Sequence, residues 1–580
     1  MEDELKAETE DFKRKFLSPA LPMLKSTGEM FVGQFVSVRS GEVIVKFSNN
    51  RSLPRKGEFL LCMLLPQMLR NYRNWGERTY RDLYKERYND TDSVCIWHSK
   101  CDDRNYSLVG FSKMSLDFVQ QIAEVGNVIL VFAPQRPPID YMLHLQKLVR
   151  DTATPSLTSI LDANYVKENK VLSLIKSSNV ANYVYNQLQL TGGMLLQGPP
   201  GTGKTSLIAE LCARLCSEGK SVLVTAMTNR ALMEVAGKDA LKKMLDERRV
   251  QKTNITTDEY KENGRVVATK EIAAQPATLV LSTFYIASGF AADLSVEQPF
   301  DYVIMDEASQ ALLGMFAASR KMGKKCLWVG DSKQLAPIVS LNNDRVRLCG
   351  YRNMIDGFCL MAESSHYPLY QLTTTYRFGP RAARYTGLFY EGTLTAKEEK
   401  DIHTPASLCK MLHRDGGPSL VTTDMDLGKS DPKFALTMTA YIVHKLLEAD
   451  PTTEIAVLTC MRNTTRALQR AIIQNVGAVK NVLVDTVARV QGLTTDVCIF
   501  FVPNVSYIHT LEPRLFNVAT SRARQHTIII TDRDVLLYST IKPIVRLYLE
   551  KLKKEQMVYV PTSRKKTENI GTTRLLDEML

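Results

Sequence analysis

Met194-Leu-Leu-Gln-Gly-Pro-Pro-Gly-Thr-Gly-Lys-Thr-Ser206 sets a short apolar run against a glycine-rich turn. Within it, Gly198, Pro199, Pro200, Gly201, Thr202, Gly203, Lys204 and Thr205 fit the pattern G-x-x-x-x-G-K-[ST]. The apolar run reads as a strand covered on both faces. Leu207, Leu211 and Leu215, at i,i+4 spacing, read as the core face of a helix that starts inside the motif. Glycines let successive backbone N–H groups wrap a polyphosphate, and the helix N-terminus adds a favourable dipole. Gly198 through Ser206 are therefore expected to bind ATP. Lys204 would meet the β- and γ-phosphates, and Thr205 would ligate Mg²⁺.

Outward from this loop the pattern is strand, loop, helix, strand, repeated. Strands are predicted at Met194–Gln197, Val222–Thr225, Leu279–Thr283, Tyr302–Met305 and Leu327–Val329. A second series follows at Ile455–Thr459, Val482–Asp485, Val497–Phe501 and Thr527–Thr531. Two tandem α/β units with parallel sheets are the expected fold. Tyr302-Val-Ile-Met-Asp-Glu-Ala-Ser309 ends one strand in two carboxylates. Asp306 is placed to hold Mg²⁺, and Glu307 to orient or deprotonate an attacking water.

Ahead of the core, Phe35-Val-Ser-Val, a Ser-Gly turn and Val43-Ile-Val-Lys-Phe47 read as a small β-unit, continued by Ser107–Phe111 and Val128–Phe132. The division expected is an accessory region with a helical stalk over 1–150, a first domain over 151–345 with a helical insertion at 236–276, a second domain over 346–545, and a C-terminal helix with a basic tail over 546–580. Leu64 to Tyr88 reads as helical. In Arg70-Asn-Tyr-Arg-Asn-Trp-Gly-Glu-Arg-Thr-Tyr-Arg81 bases alternate with aromatics, as on a stacking surface. Yet Tyr80, Tyr84 and Tyr88 fall at i,i+4, the spacing of a core stripe, and core packing is the favoured reading.

The 580 residues carry 74 Lys and Arg against 62 Asp and Glu, a net charge of +12 that suits a polyanionic partner. The acidic start lacks the layout of a signal peptide, no apolar run is long enough to span a bilayer, and the eleven cysteines show no paired spacing. A soluble protein of the cytoplasm or nucleus, with no membrane partner, is expected. Cys95, His98 and Cys101 could ligate zinc, but a structural site wants a fourth ligand.

Further motifs are Val329-Gly-Asp-Ser-Lys-Gln-Leu-Ala-Pro337, Leu372-Thr-Thr-Thr-Tyr-Arg-Phe-Gly-Pro380, Phe389-Tyr-Glu-Gly-Thr-Leu394, Val484-Asp-Thr-Val-Ala-Arg-Val-Gln-Gly-Leu-Thr-Thr-Asp496 and Asn517-Val-Ala-Thr-Ser-Arg-Ala-Arg524. In this order they resemble the motifs of superfamily 1 helicases. The subgroup they resemble holds the nonsense-mediated-decay RNA helicase, senataxin and the DNA replication helicase/nuclease. The likeness runs over roughly residues 150–540.

The resemblance implies two RecA-like domains with ATP in the cleft between them, single-stranded or tailed nucleic acid across their top, and travel from 5′ to 3′. It implies that Gln334 senses the γ-phosphate, that Tyr376 stacks on adenine, and that Arg377 and Arg522 are arginine fingers from the second domain. Gln491 and Gly492 would line the cleft, and the insertion would lie over the nucleic-acid channel. Thr228, Asn229 and Thr283 would meet the nucleic acid. Asn179 stands where the family carries a Gln at the adenine edge, and Thr494 where it carries a Glu. The alternatives are an ATP-gated clamp or remodeller that does not unwind duplex, and a regulator directed at protein. DNA and RNA stay open, because the 2′-hydroxyl contacts that separate them have no sequence signature here.

Overall fold

Strand β8 (Gly193–Gln197), the run ahead of the glycine-rich loop, lies inside a nine-stranded sheet and is buried along its whole length in the computed structural model. The structure describes residues 1–49, 52–66, 75–135, 139–150, 155–161, 172–176, 179–337, 339, 356–364, 367–477, 479–490, 492–504 and 507–562. Gln491, Arg70–Asn74 and the basic stretch from Ser563 lie outside these.

Numbering strands along the chain, β1 (Phe31–Arg39), β2 (Glu42–Ser48), β3 (Phe59–Leu64), β4 (Asn89–Lys100), β5 (Tyr106–Ser112) and β6 (Ile129–Pro134) close into an antiparallel barrel in the order β1-β2-β5-β4-β3-β6. The expected small β-unit is thus four strands of a six-stranded barrel. Its missing strands were hidden for physical reasons. Phe59–Leu64 is one continuous apolar run, which periodicity cannot tell from buried helix. Strand β4 opens on the polar residues Asn89-Asp-Thr-Asp-Ser and so lacks clean alternation. Phe47, Phe111 and Phe132 fill the barrel, with the Phe111 and Phe132 rings stacked at 4.2 Å. Outside it, Tyr80 and Tyr84 are buried as the core reading expects, whereas Tyr88 is exposed.

The first parallel sheet has the order β11-β10-β12-β9-β13-β14-β8-β15-β7. Its members are β7 (Ser173–Ile175), β8, β9 (Val222–Ala226), β10 (Val250–Thr253), β11 (Val267–Thr269), β12 (Leu279–Thr283), β13 (Phe300–Met305), β14 (Gly323–Gly330) and β15 (Leu369–Leu372). β15 follows the expected boundary at 345, so the first domain reclaims the chain as far as Leu372. The physical reason is the open edge of β8, along which Leu369–Gln371 pairs. The segment 236–276 adds β10 and β11 to the sheet as well as short helices. It also docks on the barrel: the Leu116 N–H donates to the Ile255 carbonyl at 2.9 Å, and the Thr257 N–H to the Met114 carbonyl at 3.0 Å.

The short strands β16 (Thr374–Thr375) and β17 (Thr395–Ala396) pair at the crossing to the second sheet. That sheet, β20-β19-β21-β22-β18-β23, is again parallel. It comprises β18 (Gly417–Thr423), β19 (Ile455–Thr459), β20 (Val482–Thr486), β21 (Thr495–Val502), β22 (Ala523–Asp532) and β23 (Met557–Val560). β23 pairs with β18, so the second domain extends past the expected end at 545, through the helix Pro543–Glu555. Between the sheets, Arg514 of the helix Pro513–Thr520 grips Asp356 with two bonds of 3.0 Å. Among the described residues no helix is long and apolar enough to cross a membrane.

A candidate nucleotide site between two parallel sheets

In a parallel sheet the carboxyl ends of all strands open on one edge, where loops can gather around a ligand. Register aligns Gln197 of β8 with Gly330 of β14, and Met305 of β13 with Trp328, so the phosphate loop, Asp306-Glu307 and Asp331 emerge side by side. Facing them across a cleft of about 510 Å³ are Gly492, Thr494 and Arg522 of the second domain. A cavity of that size suits one small ligand.

The loop backbone needs its glycines. Gly201 and Gly203 sit at φ of 73° and 79°, in the left-handed region. A Cβ at Gly201 would also collide with the Arg377 side chain. The crossing segment caps the loop here: the Tyr376 N–H donates to the Gly201 carbonyl at 2.8 Å, and the Thr375 hydroxyl to the Pro200 carbonyl at 3.0 Å. Lys204 folds back, with Nζ 2.5 Å from the Gly198 carbonyl oxygen. Burial lowers its pKa, offset by the charges of Asp331 and Asp306.

Both carboxylates after β13 are pushed up by burial, Asp306 to about 6 and Glu307 to about 7, with Asp306 the second cause at Glu307. Glu307 occupies φ 51°, a strained conformation for a residue with a side chain. Its N–H donates to Asp306 Oδ1 at 2.8 Å, and its Oε2 accepts from Gln310 Nε2 at 2.9 Å. The Thr205 hydroxyl and the Asp306 carboxylate, which line the same cleft, make a hard-oxygen donor set that fits Mg²⁺.

The loop after β14 is the most densely bonded part of the site. Asp331 accepts from Gln197 Nε2 (2.6 Å), the Lys333 N–H (3.0 Å), Gln334 Nε2 (2.8 Å) and the Tyr390 hydroxyl (2.6 Å). Asn517 Nδ2 donates to the Tyr390 oxygen at 2.9 Å and to the Lys333 carbonyl at 2.8 Å. Arg522, held by the Val518 carbonyl at 2.9 Å, reaches Gln334 Oε1 at 3.5 Å. Tyr390, Asn517 and Arg522, all beyond the crossing, thus clasp residues 331–334. Arg377 donates to the Ser521 carbonyl at 2.7 Å, and burial together with the Arg522 charge lowers its guanidinium to about 9. Arg377 belongs to the crossing segment, five residues after β15, rather than to the body of the second domain as expected; β15 carries the chain back to the first sheet before releasing it. Tyr376 is 54% exposed, lies beside Gly203 and lines the cleft.

The cleft gathers Lys204, Thr205, Ser206, Asp306, Glu307, Gln334, Tyr376, Arg377, Gly492 and Arg522, together with Thr228. Thr228 was expected against nucleic acid; it shares the nucleotide cleft, because it follows β9, the neighbour of β13, by two residues, and its Oγ1 caps the next helix through the Ala231 N–H. Asn179 does not reach the cleft. Its amide oxygen caps the helix Val180–Leu190 by accepting from the Asn182 N–H at 2.9 Å. Asn229 accepts from the buried Lys252 ammonium at 2.9 Å, and Thr283 is buried at the start of the helix Phe284–Asp293. Asp331, Tyr390 and Asn517 received no role from sequence reasoning. Their motifs were visible, but their meeting joins segments up to 186 positions apart, which no local pattern reports.

A family model described as AAA domain matches residues 177–260 and 236–341, and a second of the same description matches 357–534, together more than half of the chain. The DNA replication ATP-dependent helicase/nuclease of Saccharomyces cerevisiae is 26% identical over 405 residues, 63% of this chain and 26% of that protein. Its Gallus gallus counterpart is 28% identical over 293 residues, 49% of this chain and 27% of that protein. The chain thus spans about a quarter of the length of these curated relatives. An arterivirus nonstructural protein 10 (helicase) structure superposes with a TM-score of 0.35 at 12% identity, covering 88% of this chain and 79% of that one. With AAA-domain matches across both parallel sheets and a phosphate loop facing arginines over a shared cleft, the chain belongs to the superfamily 1 helicases.

Proposed function

We propose that the protein is an ATP-driven helicase or translocase that moves along single-stranded nucleic acid. One observation carries the reading: the cleft is walled by Lys204, Asp306 and Glu307 on one side and by Gly492 and Arg522 on the other. A γ-phosphate between those walls offsets charge from both, so its arrival and loss change their spacing. Lys204 leaves the loop carbonyls to meet the phosphates. Glu307, close to neutral pH in its affinity for a proton, orients and deprotonates the attacking water. Arg522 and Arg377 offset charge on the transferring phosphoryl group, Gln334 passes the change to the 331–334 loop, and the exposed Tyr376 receives the adenine. Thr205 and Asp306 would hold Mg²⁺, which would supply charge neutralisation at the phosphates.

The relatives are named for DNA replication, which favours DNA as the polymer, and the family resemblance favours travel from 5′ to 3′. The barrel and the segment 236–276, docked together, supply the accessory surface beside the strand, with Asn229 and Thr283 at its margin. Steady-state ATPase measured with and without single-stranded DNA or RNA tests the reading. Stimulation by a polymer is expected, with turnover reduced about 10²–10⁴-fold in Glu307→Gln while ATP still binds. Turnover indifferent to both polymers rejects it in favour of a regulator directed at protein. Opening of duplexes with a 5′ tail separates the motor from an ATP-gated clamp, and opening only of those with a 3′ tail rejects the polarity.

A further inference from the structure

Strand β3 alternates as a barrel strand must. Leu60, Cys62 and Leu64 point into the barrel, while Leu61 and Met63 pack outward against the N-terminal helices. Phe59 shares the outward row, but at its end, where it is only partly covered: the residue is 37% exposed. Two cations stand at its ring. Lys113 Nζ lies 5.2 Å from the ring centroid and the Arg489 guanidinium carbon 5.4 Å. Three parts of the protein converge here. Phe59 is barrel, Lys113 begins the loop that docks on the segment 236–276, and Arg489 comes from the second domain.

Ordinary packing accounts poorly for this arrangement. Lys113 is held at φ 62°, a left-handed conformation that strains a residue with a side chain. Neither Lys113 nor Arg489 pairs with a carboxylate among the described residues. Two like charges over one partly exposed ring repel each other, and an anion that draws them off the ring bares it for stacking. A ring to stack on, flanked by unpaired cations, is the chemistry that holds a nucleobase between its two phosphates. Arg489 also lies three positions before Gly492, where a Cβ would be 3.7 Å from Glu307 Oε1. Two residues three positions apart in the chain thus lie one at this ring and the other at the nucleotide cleft.

We propose that Phe59 is a stacking platform for one base of the bound single strand, with Lys113 and Arg489 on the flanking phosphates. The inference rests on the nucleic-acid reading above and names a contact within it. The test uses the full chain and a short deoxyoligonucleotide, beside an equal-length strand with abasic sites. In Phe59→Trp, the oligonucleotide should quench an emission component absent from the wild type, and the abasic strand should not. Phe59→Ala should bind the oligonucleotide about 5- to 150-fold more weakly, the range found on truncating a stacking aromatic, with its dependence on salt unchanged. Arg489→Ala should instead lower the slope of log affinity against log salt by about 1. Equal quenching by both strands, or wild-type affinity in Phe59→Ala, overturns the proposal while leaving the motor intact. If Phe59→Ala fails to fold, the Trp variant decides alone. If the wild type binds no polymer, the proposal falls together with the reading it rests on.

Discussion

Replacing Tyr390 by Phe removes one oxygen from the place where the second domain grips the loop after β14. That oxygen donates to Asp331 at 2.6 Å and accepts from Asn517 at 2.9 Å, in a fully buried setting. Phe fits the same space, so no cavity term enters. Asn517 keeps its bond to the Lys333 carbonyl, and Asp331 Oδ2 keeps Gln334. The net loss is therefore close to one hydrogen bond to a carboxylate, about 1.5–3 kcal/mol. Because the bond joins two domains, the loss falls on their docking and weakens that equilibrium roughly 10- to 150-fold. Thermal unfolding of the variant should shift down by several degrees, and maximal turnover with a polymer should fall more than the apparent affinity for ATP. Asn517→Ala made alone and together with Tyr390→Phe gives a double-mutant cycle, in which a coupling above about 0.5 kcal/mol is expected. Additive losses, or a Tyr390→Phe protein with unchanged melting and turnover, would refute the idea that this clasp carries docking energy.

Lys252 is wholly buried, and its ammonium sits 3.0 Å from Glu259 and 2.9 Å from Asn229. Glu259→Ala strands that charge and should cost about 3–5 kcal/mol in chemical denaturation, with Lys252→Met in the same chain recovering most of it; an unchanged midpoint would dismiss the pair. His526 lies in the middle of the second sheet with Nε2 at 3.1 Å from the His403 carbonyl and, among the described residues, no partner at Nδ1, and burial pushes its pKa down to about 4. The unfolded chain then binds more protons than the folded one between pH 6.5 and about 4, so stability drains away as pH falls through that window. By pH 5 the wild type should have lost about 2 kcal/mol more than His526→Gln, and parallel losses in the two proteins would count against His526.

Local patterns carried the sequence reading far where the chemistry itself is local. A glycine loop must be contiguous to wrap phosphates, so residues 198–206 were legible as a unit, and so was a strand ending in Asp306-Glu307. Buried parallel strands such as β8, β9 and β13 were equally legible, because both of their faces are covered and they must be apolar throughout. The barrel was half visible, since β3 has no polar alternation to set it apart from a helix and β4 begins on polar residues.

Domain boundaries were least legible. A strand joins whichever sheet offers it an open edge, and β15 found its edge on β8, 174 positions upstream. Side chains of ambiguous purpose were assigned by their neighbours alone: Asn179 and Asn229 became a helix cap and an ammonium ligand. Sequence by itself pointed to a phosphate-binding loop at the end of a parallel strand, because the backbone groups of residues 198–206 lie within one turn of chain. Only the tertiary structure decided that Tyr390, Asn517 and Arg522 close on Asp331 and Gln334. Hydrogen bonds between distant segments depend on how two sheets dock, and docking is set by the summed packing of both cores rather than by any stretch that can be read alone.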